Sequence, residues 1–227
     1  NKVDHTTVMT EIANNTNVVM TSVAGNGRSI GYISLGSLND TVKALKIDGV
    51  DATTENIVVG TYKVARPFNI ATNGEVDGLA ADFIKYIMSA EGQKIATENK
   101  FISKGSDGAY SASGMSGKIV VAGSSSVSPL MEKLIEGYTA LNPDAQIELQ
   151  TSDSTTGMTS TIEGICDIGM ASRELKDSEL EKGLVPAVIA MDGIAVIVNN
   201  SNSLDGMTSE QVTAIYTGEI KEWSELG

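Results

Sequence analysis

Three short segments carry hydroxyl groups in a pattern that could do chemistry: 123-GSSSVSP-129, 153-DSTTG-157 and 171-ASREL-175. Each follows an apolar, strand-like run and leads toward helix. In an open α/β sheet, ligands bind at such strand ends. A helix N-terminus there offers N–H groups without intrahelical partners and a partial positive charge, so an anion needs no lysine beside it. Ser and Thr hydroxyls add donors that rotate to suit the ligand. These residue types therefore suit the holding of a small oxyanion by neutral dipoles. Arg173 is the one fixed cation in the three segments, and its planar fork matches paired oxygens. The competing role for each loop is helix capping, for which Ser and Thr before a helix are common.

Other chemistries fit less well. The 227 residues carry a formal net charge of −13, which argues against nucleic acid or an anionic membrane surface as partner. The single cysteine, Cys166, allows no internal disulfide and reads as a small buried apolar side chain. The single histidine, His5, reads as a surface residue; a Ser-His-Asp triad would have to use it, and a His-rich metal site is excluded. There is no Walker A pattern. The segment 25-GNGRSIG-31 misses the last glycine of a dinucleotide fingerprint by one place and precedes a strand, so it reads as a turn. The stretch 31-GYISLG-36 lacks the spacing of a nucleophile elbow, and the acidic residues show no metal-loop spacing. No cofactor is implied. Met9, Met20, Met88, Met131, Met158 and Met170 read as fillers of core gaps. No apolar run approaches the length of a membrane span, and no signal peptide is read.

The elements that must position these loops alternate strand and helix, which predicts an α/β fold with largely parallel sheets. After the serine cluster, Val127, Leu130, Met131, Leu134, Ile135, Tyr138 and Leu141 share one helical face, with Pro129 in the first turn and Asn142-Pro143 ending the run. A strand at 146–150, a short helix toward Glu163 and the run 165-ICDIGMA-171 follow. Two β-rich runs, 185–191 and 193–199, precede a helix with a capping box: Thr208 as N-cap, Gln211 three residues on, Gly218 just past the end. The first hundred residues predict helix around 6–14 and 17–24, strand at 30–34, a β-rich region to about 72, and helices at 77–89 and 90–100. The segment 105-GSDGAYSASGMSG-117 has eight Gly or Ser residues in thirteen and reads as a flexible linker.

The runs 119-IVVAGSSSVSPLMEKLIEGY-138, 164-GICDIGMASREL-175, 191-MDGIAVIVN-199 and 208-TSEQVTAIYTGEIKEWSELG-227 resemble the first half of phosphate-binding proteins. These are the solute-binding subunits of bacterial phosphate ABC importers. The runs 29-SIGYISLG-36, 62-YKVARPFNIAT-72 and 83-FIKYIMSAEGQKI-95 resemble the second half. The resemblance implies a two-lobe periplasmic-binding-protein-like fold (type II), each lobe a mixed sheet flanked by helices, closing over one phosphate without catalysis. Because the halves stand in reversed order, it also implies a circular permutation, with 105–117 joining the family's original ends.

The implied lobes are 59–190, and 1–58 with 191–227, with hinges near 58–64 and 189–193. Matched residue by residue, the resemblance implies phosphate binding by Ser125 and Ser126 from the first loop, Ser154 and Thr155 from the second, and Ser172 and Arg173 from the third. Ser172 stands where some members place an aspartate that accepts the ligand's proton; Asp153 is the substitute acceptor, with helix or loop capping as its more ordinary role. No copy of the family's second-lobe Gly-Ser-Thr-Arg loop is found, which implies weaker binding. The implied partner is a membrane permease, the setting extracytoplasmic and the state monomeric. An engineered permuted scaffold of biosensor type is the alternative, and a serine hydrolase using His5 the remote one.

Overall fold

The alternation of strand and helix signals resolves into eighteen elements among the described residues, 6–11 and 13–226 of a computed structural model. In chain order they are α1 (Thr16–Gly25), β1 (Ile30–Ser34), β2 (Lys43–Ala44), β3 (Lys46–Ile47), α2 (Thr54–Val58), β4 (Ala65–Asn73), α3 (Gly78–Met88), α4 (Ala90–Glu98) and β5 (Ile102–Ser103). Then follow β6 (Gly117–Ser124), α5 (Ser128–Leu141), β7 (Ala145–Ser152), α6 (Ser154–Ile162), β8 (Ile168–Ala171), α7 (Asp177–Leu180), β9 (Leu184–Val198), β10 (Gly206–Met207) and α8 (Ser209–Thr217). Short 3-10 turns lie at Leu35–Ser37 and Trp223–Leu226. No helix among the described residues is long and apolar enough to cross a membrane.

The chain divides into two compact units. The larger comprises Ser34–Ser37 and Ala65–Gly193. Its sheet runs in the order β9-β4-β8-β6-β7. β6 pairs in parallel with β7 and β8, while β4 lies antiparallel between β8 and β9. This is the mixed α/β sheet expected. Its main core gathers Phe68, Ile70, Phe83, Ile87, Val121, Leu130, Leu134 and Tyr138 from β4, α3, β6 and α5. The predicted apolar face of α5 is the buried one, except that Ile135 is half-buried and Leu141 at its end is exposed. The smaller unit comprises Asn1–Ile33, Leu38–Val64 and Ile194–Gly227. Its core joins Leu45, Ile47, Tyr62, Val196, Val198 and Met207. There α8 has the predicted capping box, with Gly218 in the left-handed conformation at φ 82°.

Several expectations need correction. The described part of 6–14 forms turns and bends rather than helix; Thr7 N–H instead donates to the Tyr216 carbonyl at 2.7 Å. The β-rich region to residue 72 contains a helix, α2, capped by Thr53. The two runs at 185–191 and 193–199 are one fifteen-residue strand, β9, because the polar break at Asp192 is itself buried and paired. Met9 is exposed, whereas the other five methionines singled out are buried, as is Cys166.

The segment 105–117 is no loose linker. Asp107 N–H donates to Met88 O, Gly108 O accepts from Ala90 N–H, and Tyr110 N–H donates to Glu91 Oε2. Tyr110 and Ser113 hydroxyls both donate to Asp82 Oδ2 at 2.6 Å, and the amides of Ser113 and Gly114 donate to Asn142 Oδ1. Composition hid this because the anchors, Asp82 and Asn142, come from other elements. His5 lies outside the described residues.

Candidate functional site

Parallel pairing brings the three hydroxyl segments to one edge of the larger unit's sheet. Ser124 stands opposite Ser152 in the β6–β7 register, and Gly123 opposite Met170 in the β6–β8 register, so the three strands end nearly level. The tips are then stitched together. Ser124 Oγ donates to Ser172 Oγ at 3.0 Å, Ser172 N–H donates to Ser154 Oγ at 3.1 Å, and Ser125 N–H donates to the Ser152 carbonyl at 2.9 Å. Behind them Ser128 Oγ and Thr151 Oγ1 share a hydrogen bond of 2.9 Å. Two glycines permit the close approach. A Cβ on Gly157 would stand 2.6 Å from Gly123 Cα, and one on Gly123, at φ +136°, would strike the Met170 carbonyl.

The helices that start here differ in how their first turns are served. On α6, Asp153 Oδ1 accepts from the amides of Thr155 and Thr156 at 2.8 and 3.0 Å, and Oδ2 from Thr156 Oγ1 at 2.7 Å. Burial raises the Asp153 carboxyl, but the bonds from Thr156 and Thr155 prevail and hold it below its ordinary value. Its oxygens are thus committed to the helix and it keeps its charge. The geometry shows Asp153 in the capping role, with Oδ2 accepting one bond, from Thr156 Oγ1. On α5, the N-cap position falls on Val127, which has no side-chain acceptor, and Pro129 occupies the first turn. A hydroxyl cluster precedes this helix without any serine at its N-cap.

Arg173 is not a bare cation. Its Nη1 and Nη2 donate to Glu179 Oε2 and Oε1 at 2.9 and 2.8 Å, a two-toothed pair, and Nη2 reaches Thr155 Oγ1 at 3.3 Å. Glu179 is buried; burial raises its carboxyl, yet Arg173 and the Lys176 amide hold it below its ordinary value. The charge of Arg173 is therefore matched by that of Glu179. Ser125, Ser126, Ser172 and Arg173 are half-buried, Ser154 likewise, and Thr155 is exposed.

Three participants escaped the sequence. Ser124 lay inside the cluster but reads as strand; Glu179 sits in a four-residue helix with no pattern of its own; and Asn69 is a lone amide in an apolar strand. Asn69 Nδ2 donates to the Arg173 carbonyl at 3.0 Å. Among the described residues no group of His, Cys, Asp and Glu could hold a metal ion.

The PBP superfamily domain matches residues 108–227. The chain is 49% identical over 226 residues to phosphate-binding protein PstS 2 of Streptococcus agalactiae, covering 99% of this chain and 77% of that one. It is 43% identical, with the same coverage, to phosphate-binding protein PstS 2 of Streptococcus pneumoniae. The crystal structure of a phosphate-binding protein of a phosphate ABC transporter from S. pneumoniae superposes with a TM-score of 0.76 at 42% identity, covering 100% of this chain and 88% of that one. Such identity along nearly the whole chain, joined to a sheet whose hydroxyl-bearing tips meet, leaves one assignment: the chain belongs to the PstS family of phosphate-binding proteins, within the PBP superfamily.

Proposed function

We propose that this chain binds inorganic phosphate at the meeting strand tips of its larger unit and, outside the cytoplasm, delivers it as a monomer to the permease of an ABC importer. Ser125, Ser126, Ser154, Thr155, Ser172 and Arg173 form the ligand set. The single observation that carries the reading is the chain of hydrogen bonds from Ser124 through Ser172 to Ser154, which gathers three hydroxyl-bearing loops at the start of α5 and α6. Donors fixed in this way hold an oxyanion with little reorganisation. The relatives that support it are binding proteins by name, which also favours binding over catalysis.

The reversed order of the halves belongs to the same reading. β4 precedes the 105–117 segment and β6 follows it, yet both supply strands to one sheet, which supports a join of two family ends within one unit. Titration calorimetry with phosphate tests the site. The double change Ser125→Ala, Ser154→Ala is expected to weaken binding by about tenfold or more, since each lost donor contributes about 1 kcal/mol. Unchanged affinity in that double variant removes the assignment.

A further inference from the structure

We infer that Asn69 is a positioning residue of the anion site, acting through the Arg173 carbonyl to hold the third loop in register with the other two. The inference rests on the phosphate-binding reading and adds to it a residue that lies in the sheet behind the loops.

Asn69 sits mid-strand in β4, opposite Ala171 of β8, the last residue before Ser172. Its neighbours Phe68, Ile70 and Ala71 are buried and apolar, and Asn69 itself is 1% exposed. An amide in that setting needs both ends satisfied. Only one is: Nδ2 donates to Arg173 O, while Oδ1 is buried without any partner. A leucine of similar shape would remove the orphaned oxygen, so stability alone does not account for the asparagine.

The strand beside it is also adjusted at this point. The β4–β9 pairing runs Phe68 to Ala190 and then Asn69 to Val188, so Ile189 is an extra residue in β9. Bulges of this kind re-aim side chains. The carbonyl of Ile189 is taken up by the buried Gln93, whose Nε2 donates to it at 3.0 Å and whose Oε1 accepts from Ser103 Oγ and Lys104 N–H. The extra carbonyl of the bulge thus has a partner, whereas the Asn69 amide beside β8 is half-satisfied. What that amide holds is the Arg173 carbonyl, one residue after Ser172, whose N–H meets Ser154 Oγ, and on the same residue as the side chain that reaches Thr155 Oγ1. One hydrogen bond therefore sits beside both of the contacts named between the third loop and the second.

The test compares the unaltered chain with Asn69→Leu and Asn69→Asp by phosphate calorimetry, denaturant unfolding and amide exchange at Ser172. Asn69→Leu is expected to unfold at the same or a higher denaturant midpoint, to bind phosphate about tenfold more weakly and to exchange the Ser172 amide faster. Phosphate affinity within twofold of the unaltered chain, or Ser172 protection that does not change, overturns the inference.

Asn69→Asp covers the case in which the leucine does not fold. A protonated carboxyl there donates to Arg173 O and a carboxylate repels it, so affinity relative to the unaltered chain should recover as pH falls. Charges common to both proteins, Arg173 and Glu179 among them, enter the ratio only through the pH at which the new carboxyl titrates. A ratio flat with pH overturns the inference. Failure of the unaltered chain to bind phosphate overturns the phosphate reading by itself, and Ser172 exchange in the variants then still decides whether Asn69 holds the loop.

Discussion

Asp192 shows how a single buried side chain can set a pH response. Its Oδ1 accepts from Ser34 Oγ at 2.7 Å and its Oδ2 from Arg66 Nε at 3.2 Å. Burial nevertheless outweighs Arg66, Ser34 and the Gly36 amide, and the carboxyl is pushed up to about 6. The folded protein then takes up this proton more readily than the unfolded chain, whose carboxyl titrates near 4. The stabilisation linked to Asp192 is complete below about pH 4 and is lost as pH rises through about 6. Unfolding free energies of the unaltered chain and Asp192→Asn, compared at pH 4.5 and pH 8, should show their difference moving by about 2 kcal/mol in favour of the variant at the higher pH. A pH-independent difference would mean that Arg66 fully compensates the charge. None of this was legible beforehand: Asp192 looked like the polar gap between two strands, because Ser34 and Arg66 are far away in sequence.

At the scale of elements, local signals were readable and distant partners were not. The α8 capping box and the α5 apolar face depend on residues within one or two turns, and both stand where the pattern put them. The three hydroxyl loops were legible for the same reason, since each is a strand end followed by a helix start. The 105–117 segment misled because Gly and Ser describe the chain's freedom and say nothing of what binds it. Asn142, at the C-cap of α5, accepts from the Ser113 and Gly114 amides and donates to Tyr110 Oη. Asn142→Ala is expected to cost about 2–4 kcal/mol in denaturant unfolding and to speed amide exchange at Ser113 and Gly114. A loose tether would register neither change.

Across the whole molecule, charge and site chemistry pull in different directions. A net charge of −13 repels an incoming phosphate, and Arg173, the cation of the third loop, is already paired with Glu179. Screening should therefore help capture: the association rate, followed by stopped flow, is expected to rise by about two- to fivefold between 0.01 and 0.15 M ionic strength, as the Debye length contracts from about 30 to 8 Å. A fall with added salt would mean that a local positive field outweighs the net charge. β9 has a different kind of reach, because its residues 184–193 serve one unit and 194–198 the other. The chain therefore passes from one unit to the other inside continuous β backbone, with β4 as the ladder partner of its first stretch and β2 that of its last.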